Sequence, residues 1–172
     1  MAVLNICTFP DPILKQKAVP IEKIDEPLRD LIQDMTETMY QAPGIGLAAN
    51  QVGRPLRLIV FDVTPKDQPR NPQVLINPEI ICAEGSQSLE EGCLSVPEFY
   101  SEVKRCSKVT VRGLDAQGNL VEMEGEGLMA VVLQHEIDHL DGFLMLDRIS
   151  PLKRALYKKR RLKQMKSQDE NG

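Results

Sequence analysis

The sequence predicts an α+β fold: one compact domain in which antiparallel strands pack around a central helix carrying the candidate metal ligands, with one helix near each end. Three observations carry that prediction. Residues 26–41 repeat apolar side chains every three or four positions, residues 56–124 alternate or cluster branched apolar residues in strand-like runs, and residues 127–166 return to helical patterning. The expected domain spans 1–172, with a basic C-terminal helix over 151–166 and a disordered tail over 167–172.

Taken in order, Pro10-Asp11-Pro12 reads as a turn leading into a short helical stretch through Lys17. From Glu26 to Gln41 the apolar residues Leu28, Leu31, Ile32, Met35 and Met39 fall on one helix face, and Pro43-Gly44 ends the run. Leu56 to Val63 reads as a buried strand, and Val74 to Cys82 as another, interrupted at Asn77-Pro78. Val103 to Arg112 and Leu120 to Glu124 alternate apolar with polar and are joined by the turn-like segment Asp115 to Asn119, a hairpin signal. Gly127 to Leu140 is apolar on most sides and reads as a buried helix that Gly142 ends. Ser150 as N-cap and Pro151 at the first helical position open the last helix.

Composition narrows the class. Of the 172 residues 42% are apolar, enough for a core without disulfide staples. No apolar run approaches the ~18 residues of a membrane span, and Met1 to Pro10 lacks the features of a secretory signal. The expectation is a cytoplasmic protein with no membrane partner. Four cysteines, Cys7, Cys82, Cys93 and Cys106, lack paired spacing and are expected as thiols or metal ligands. Residues 1–150 hold 13 Lys/Arg against 23 Asp/Glu, whereas residues 151–172 hold 8 against 2. An acidic body with a basic end points to local docking on a polyanion rather than sequence-specific nucleic-acid binding.

The strongest chemical signal is Gln134-His135-Glu136-Ile137-Asp138-His139, which contains H-E-x-x-H. Residues four apart on a helix differ by only ~40° around its axis, so His135 and His139 can share one metal while the Glu136 carboxylate reaches a water beside it. These are the protein's only two histidines. Burying them with two carboxylates in so apolar a helix would be expensive without a compensating ion. A catalytic site of this type needs a third ligand, and spacing leaves Glu91, Cys93, Asp141 and Asp147 open. Cys93 is favoured by its setting, Glu90-Glu91-Gly92-Cys93-Leu94-Ser95-Val96-Pro97.

Three segments together, Gly44-Ile45-Gly46-Leu47-Ala48-Ala49-Asn50-Gln51, Glu91-Gly92-Cys93-Leu94-Ser95 and Gln134 to His139, resemble the peptide deformylases in identity and order. Phe9-Pro10-Asp11-Pro12-Ile13-Leu14 resembles that family's N-terminal segment, so the likeness covers nearly the whole chain. The resemblance implies hydrolytic removal of the formyl group from N-terminal formylmethionine of new proteins. It implies Cys93, His135 and His139 as metal ligands, Glu136 as general acid/base, and Gln51 with the Leu94 N–H as donors to the oxyanion. It further implies strand-like pairing of the substrate with Gly44, Ile45 and Gly46, and a methionine slot formed by Ile45, Leu89, Leu128, Val131 and Val132. The implied ion is ferrous iron, Fe(2+), one per chain, with zinc or nickel as replacements. Partners would be the N-formylmethionyl nascent chain and, through the basic C-terminal helix, the ribosome. Some members carry an arginine where this chain has Phe99-Tyr100, so a more apolar rim is expected, and Arg105 and Asp138 match positions able to pair. The alternatives are a zinc metallopeptidase, a cysteine hydrolase using Cys93, and a non-catalytic, metal-stabilised ribosome-binding module.

Overall fold

A computed structural model describes residues 2–171. Helix α1, Glu26–Gln41, starts where the Asp25 side chain accepts a hydrogen bond from the Leu28 N–H. Its buried face is Leu28, Leu31, Ile32, Met35, Thr38 and Met39, the stripe expected from spacing plus one threonine. Beyond it the chain forms strand β1, Gly46–Ala48, a short 3-10 helix, Ala49–Val52, and strand β2, Leu58–Phe61. Strand β3 spans Gln73–Glu84, β4 Gln87–Cys93, β5 Val96–Arg105, β6 Lys108–Leu114 and β7 Leu120–Glu126. Helix α2, Gly127–Leu140, follows, and α3, Pro151–Asn171, closes the described chain.

All strand pairs are antiparallel, in a five-stranded sheet of order β1-β2-β3-β6-β7 and a two-stranded sheet β4-β5. Helix α2 lies between them, touching β1, β2, β6 and β7 on one side and β4 and β5 on the other. Leu133, Ile137 and Leu140 of α2 join Ile59, Phe61, Val109 and Val111 in one core. The α1 stripe packs with Leu47, Leu58 and Val60 in a second. A third core under the β4-β5 hairpin combines Phe9, Leu14, Val96, Val103, Leu146 and Tyr157. A helix apolar on nearly every side suits this sandwiched position.

Several expectations need correction. Residues 103–112 are not one strand, because Cys106-Ser107 turns the chain between β5 and β6. The interruption at Asn77-Pro78 is a bulge inside a continuous β3, where the register shifts and Asn77 takes φ 52°. Its side chain bonds the backbone of Ile21 in both directions, which rewards the unusual conformation. The first short helix is a 3-10 turn over Pro12–Lys15, ending short of Lys17. The tail expected to be disordered over 167–172 is helical through Asn171, and Gly172 lies outside the described residues. No helix among the described residues is long and apolar enough to cross a membrane.

Candidate active site

The helix brings its two histidines together as the spacing requires: His135 Nε2 lies 3.3 Å from His139 Nε2. Cys93, at the end of β4, reaches across so that its Sγ is 3.4 Å from His139 Nε2. Ligand atoms of these three residues lie within 4.8 Å of one another. The other residues left open by spacing are engaged elsewhere: Asp141 pairs with Arg57, Asp147 accepts from the Leu144 N–H, and Glu91 bonds His135 Nδ1 at 2.9 Å.

This donor set fits a metal ion. Glu91 occupies His135 Nδ1, leaving Nε2 to face His139 and Cys93. Burial lowers the His139 imidazole well below its ordinary pKa, and the neighbouring His135 adds to this, favouring the neutral ring that a ligand must be. Burial also works against a charged His135, yet Glu136, Cys93 and Glu91 raise its pKa well above the ordinary value. Surroundings that favour a cationic ring there favour a bound cation. A soft thiolate with two imidazoles suits a first-row transition metal.

Glu136 is 5% exposed, and its Oε1 is buried without a hydrogen-bond partner. Burial pushes its carboxyl up to about 7, with His135 opposing and Glu91 reinforcing the shift. Against it lies Gly46: a Cβ built there would meet Glu136 Oε2 at 2.5 Å. Gly44 faces the Leu94 side chain, whose Cδ1 would lie 2.9 Å from an added Cβ. The two glycines are therefore explained by close packing against residues from distant parts of the chain.

The Gln51 amide is fixed in orientation. Its Oε1 accepts from the Ala48 N–H at 2.9 Å, so its Nε2 points the other way, donating to Ser95 Oγ at 3.0 Å and lying 3.7 Å from Cys93 Sγ. One buried ion network anchors the whole corner. The Arg105 guanidinium makes two 2.9 Å bonds to Glu91 and one of 2.6 Å to Asp138, which also pairs with Arg148. The expected Arg105–Asp138 pair is thus present, with Glu91 as a further partner. Parity could have found Glu91, since two residues before Cys93 on a strand means the same face.

A cavity of about 330 Å³ opens above these groups. Of the expected site residues, Gly44, Ile45, Gly46, Gln51, Cys93, Leu94, Leu128, Val131, Val132, His135 and Glu136 line it. His139 is buried and does not line it, meeting the metal corner through Nε2. Leu89 does not line the cavity: it lies on β4, 37% exposed, opposite Val103. Pro43, Glu90, Val96 and Glu98 are wall residues that the motifs did not single out as binding groups, and Phe99 and Tyr100, expected at the rim, join them. At the rim, where a more apolar surface is expected than in members with an arginine, Phe99 and Tyr100 stand beside Glu90 and Glu98.

The profile of the family described as Polypeptide deformylase matches residues 3–155. A peptide deformylase of Syntrophobacter fumaroxidans is 57% identical over 166 residues, covering 96% of this chain and 98% of that protein. One from Mesorhizobium japonicum is 53% identical, covering 93% and 92%. Among solved structures, a peptide deformylase from Legionella pneumophila superposes with a TM-score of 0.89 at 46% identity, covering 96% of this chain and 98% of that one. A peptide deformylase from Ehrlichia chaffeensis in complex with actinonin gives 0.90 at 38% identity, covering 95% and 98%. Likeness of sequence and of fold thus extends over nearly the whole length on both sides, and the chain belongs to the peptide deformylase family.

Proposed function

We propose that this chain hydrolyses the N-formyl amide of formylmethionyl peptides at a metal centre held by Cys93, His135 and His139, with Glu136 as general acid/base. The observation that carries the reading is the convergence of three ligand atoms beside a buried carboxylate at the floor of a cavity. A divalent metal there supplies Lewis acidity and brings water within reach of deprotonation near neutral pH. Glu136, with a carboxyl titrating at about 7, takes the proton from the attacking water and delivers it to the departing amine. The formyl oxygen gains charge as its carbon becomes tetrahedral. The fixed Gln51 amide, with the Leu94 N–H, donates to it, each such donor contributing about 2.7–4 kcal/mol in comparable sites.

The substrate enters extended. β1 ends the five-stranded sheet and β4 is an edge of the hairpin, so a peptide between them can bond to the backbone at Gly44 to Gly46. The methionine side chain occupies the space bounded by Ile45, Leu128, Val131 and Val132. Leu89 borders the same slot from β4, on the strand face it shares with Glu91 and Cys93. We assign ferrous iron as the working ion, one per chain, with zinc and nickel as replacements, since one thiolate and two imidazoles accept all three. The enzyme works in the cytoplasm on nascent chains, and the lysine- and arginine-rich α3 docks on the ribosome.

The test is deformylation of a short formylmethionyl peptide by anaerobically purified protein beside Glu136→Gln, with metal content measured in both. Turnover lost by at least about 100-fold in the variant at full metal occupancy is expected. Equal turnover in the two proteins would remove Glu136 from the proton transfers.

A further inference from the structure

The β4-β5 hairpin is irregular where it walls the cavity. Gly92 pairs with Tyr100 and Cys93 with Val96, so Pro97, Glu98 and Phe99 form a bulge opposite no residue of β4. Glu98 there adopts φ +58°, an unfavourable backbone for a residue with a Cβ. A bulge of this kind loses its ladder hydrogen bonds and persists only when something else holds it.

What holds it is α3. Tyr157, buried at 3% exposure, donates its hydroxyl to the Pro97 carbonyl at 3.2 Å and packs its ring 5.0 Å from that of Phe99. Arg160 donates to the Glu98 carbonyl at 2.8 Å, and Gln164 donates to the Glu98 carboxylate at 3.2 Å. The three residues follow one another at helical spacings of three and four, so one face of the helix meets three groups of the bulge. Glu98 and Phe99 line the cavity, as do the flanking Val96 and Tyr100.

We infer that Tyr157, Arg160 and Gln164 are positioning residues for substrate. Helix α3 sets the cavity wall that faces the residues following formylmethionine. The inference rests on the proposed reading of the cavity as the formyl-peptide site. The metal corner is anchored separately through Arg105, so α3 governs KM for longer peptides more than kcat.

The experiment compares the full-length metal-loaded protein with Arg160→Ala/Gln164→Ala and with Arg160→Lys, which keeps a donor for the Glu98 carbonyl. Two readouts are taken: amide hydrogen exchange over residues 96–100, and steady-state kinetics on a formylmethionyl dipeptide and a formylmethionyl tetrapeptide. In the double variant exchange over 96–100 is expected to rise at least about tenfold. The tetrapeptide KM is expected to rise about fivefold, with kcat within about twofold and the dipeptide KM nearly unchanged; Arg160→Lys recovers most of the loss. Unchanged exchange over 96–100 in a folded double variant overturns the inference, as does an equal loss of kcat on both peptides. A wild-type protein inert on both peptides would sink the proposed function, while the exchange measurement would still decide whether α3 holds the wall.

Discussion

Replacing Gly46 with alanine adds one methyl group, and the structure says where it goes. The new Cβ would lie 2.5 Å from Glu136 Oε2, 2.9 Å from its Cδ and 3.0 Å from its Cγ. Ordinary contact begins near 3.4 Å, so the carboxylate must retreat by about 0.9 Å. The backbone cost is small, because Gly46 is not at positive φ. Overpacking of this size costs about 1–3 kcal/mol, and movement of the carboxylate reduces it further. Catalysis is far less tolerant, since displacing a reacting group by about 1 Å can cost roughly 100-fold in rate. Gly44→Ala is the control: its Cβ would meet only the end of the Leu94 side chain, which can rotate away. Steady-state deformylation, metal content and thermal melting are measured on both variants. The expected pattern is a kcat lower by about 100-fold in Gly46→Ala, metal retained, and less than about a tenfold loss in Gly44→Ala. Gly46→Ala with kcat within threefold of wild type would refute the claim that this glycine sets the position of the catalytic carboxylate.

Two further outcomes follow from buried charge. Arg105→Met leaves Glu91 without its guanidinium partner, while Asp138 keeps Arg148; the cost expected for an uncompensated buried charge is about 3–5 kcal/mol. Thermal melting should fall by about 10 °C, with weaker metal retention as His135 loses the support behind Glu91; a drop under 3 °C with full metal would contradict this. Asp62 is buried, which opposes its ionisation, but hydrogen bonds from Thr64, Tyr40 and Asn71 outweigh this and hold its pKa at about 2. Its folded pKa lies below the unfolded value of about 3.9, so its contribution is complete above about pH 5 and is lost as pH falls towards 2. The melting difference between wild type and Asp62→Asn should therefore be flat above pH 5 and shrink between pH 4 and 2. A difference constant across that range would show that the carboxylate's ionisation does not matter.

What could be read from the sequence was what depends on local geometry. The His135 and His139 pair follows from helical spacing alone, and the α1 face from its apolar period. The role of Gly46 could not be read so, because the group it makes room for is 90 residues away. The β4-β5 hairpin was hidden because its strands carry polar residues on both faces: Glu90 pairs with Glu102 on one, and Glu91 pairs with Ser101 on the other. Inward-facing charge is readable as strand only once Arg105 is known to neutralise it. The length of α3 was underestimated because its last turns carry little apolar patterning to mark them.

A site divided between a helix and a hairpin needs something to hold the two in register, since Cys93 and His139 are 46 residues apart. Backbone pairing cannot do this, because α2 offers no free ladder to β4. Arg105 does it with one side chain, joining Glu91 on β4 to Asp138 on α2 from its own place on β5. Glu91 is two residues from Cys93 and also orients His135; Asp138 is next to His139. The guanidinium thus braces each proposed ligand through a near neighbour. Buried ion networks add little net stability over apolar packing, so position is the better account of this one. The hairpin is then fastened twice, by Arg105 beside the metal corner and by α3 at the bulge. Fastenings with separate partners should fail separately: loss of Arg105 reads out as metal retention, and loss of the α3 contacts as substrate acceptance.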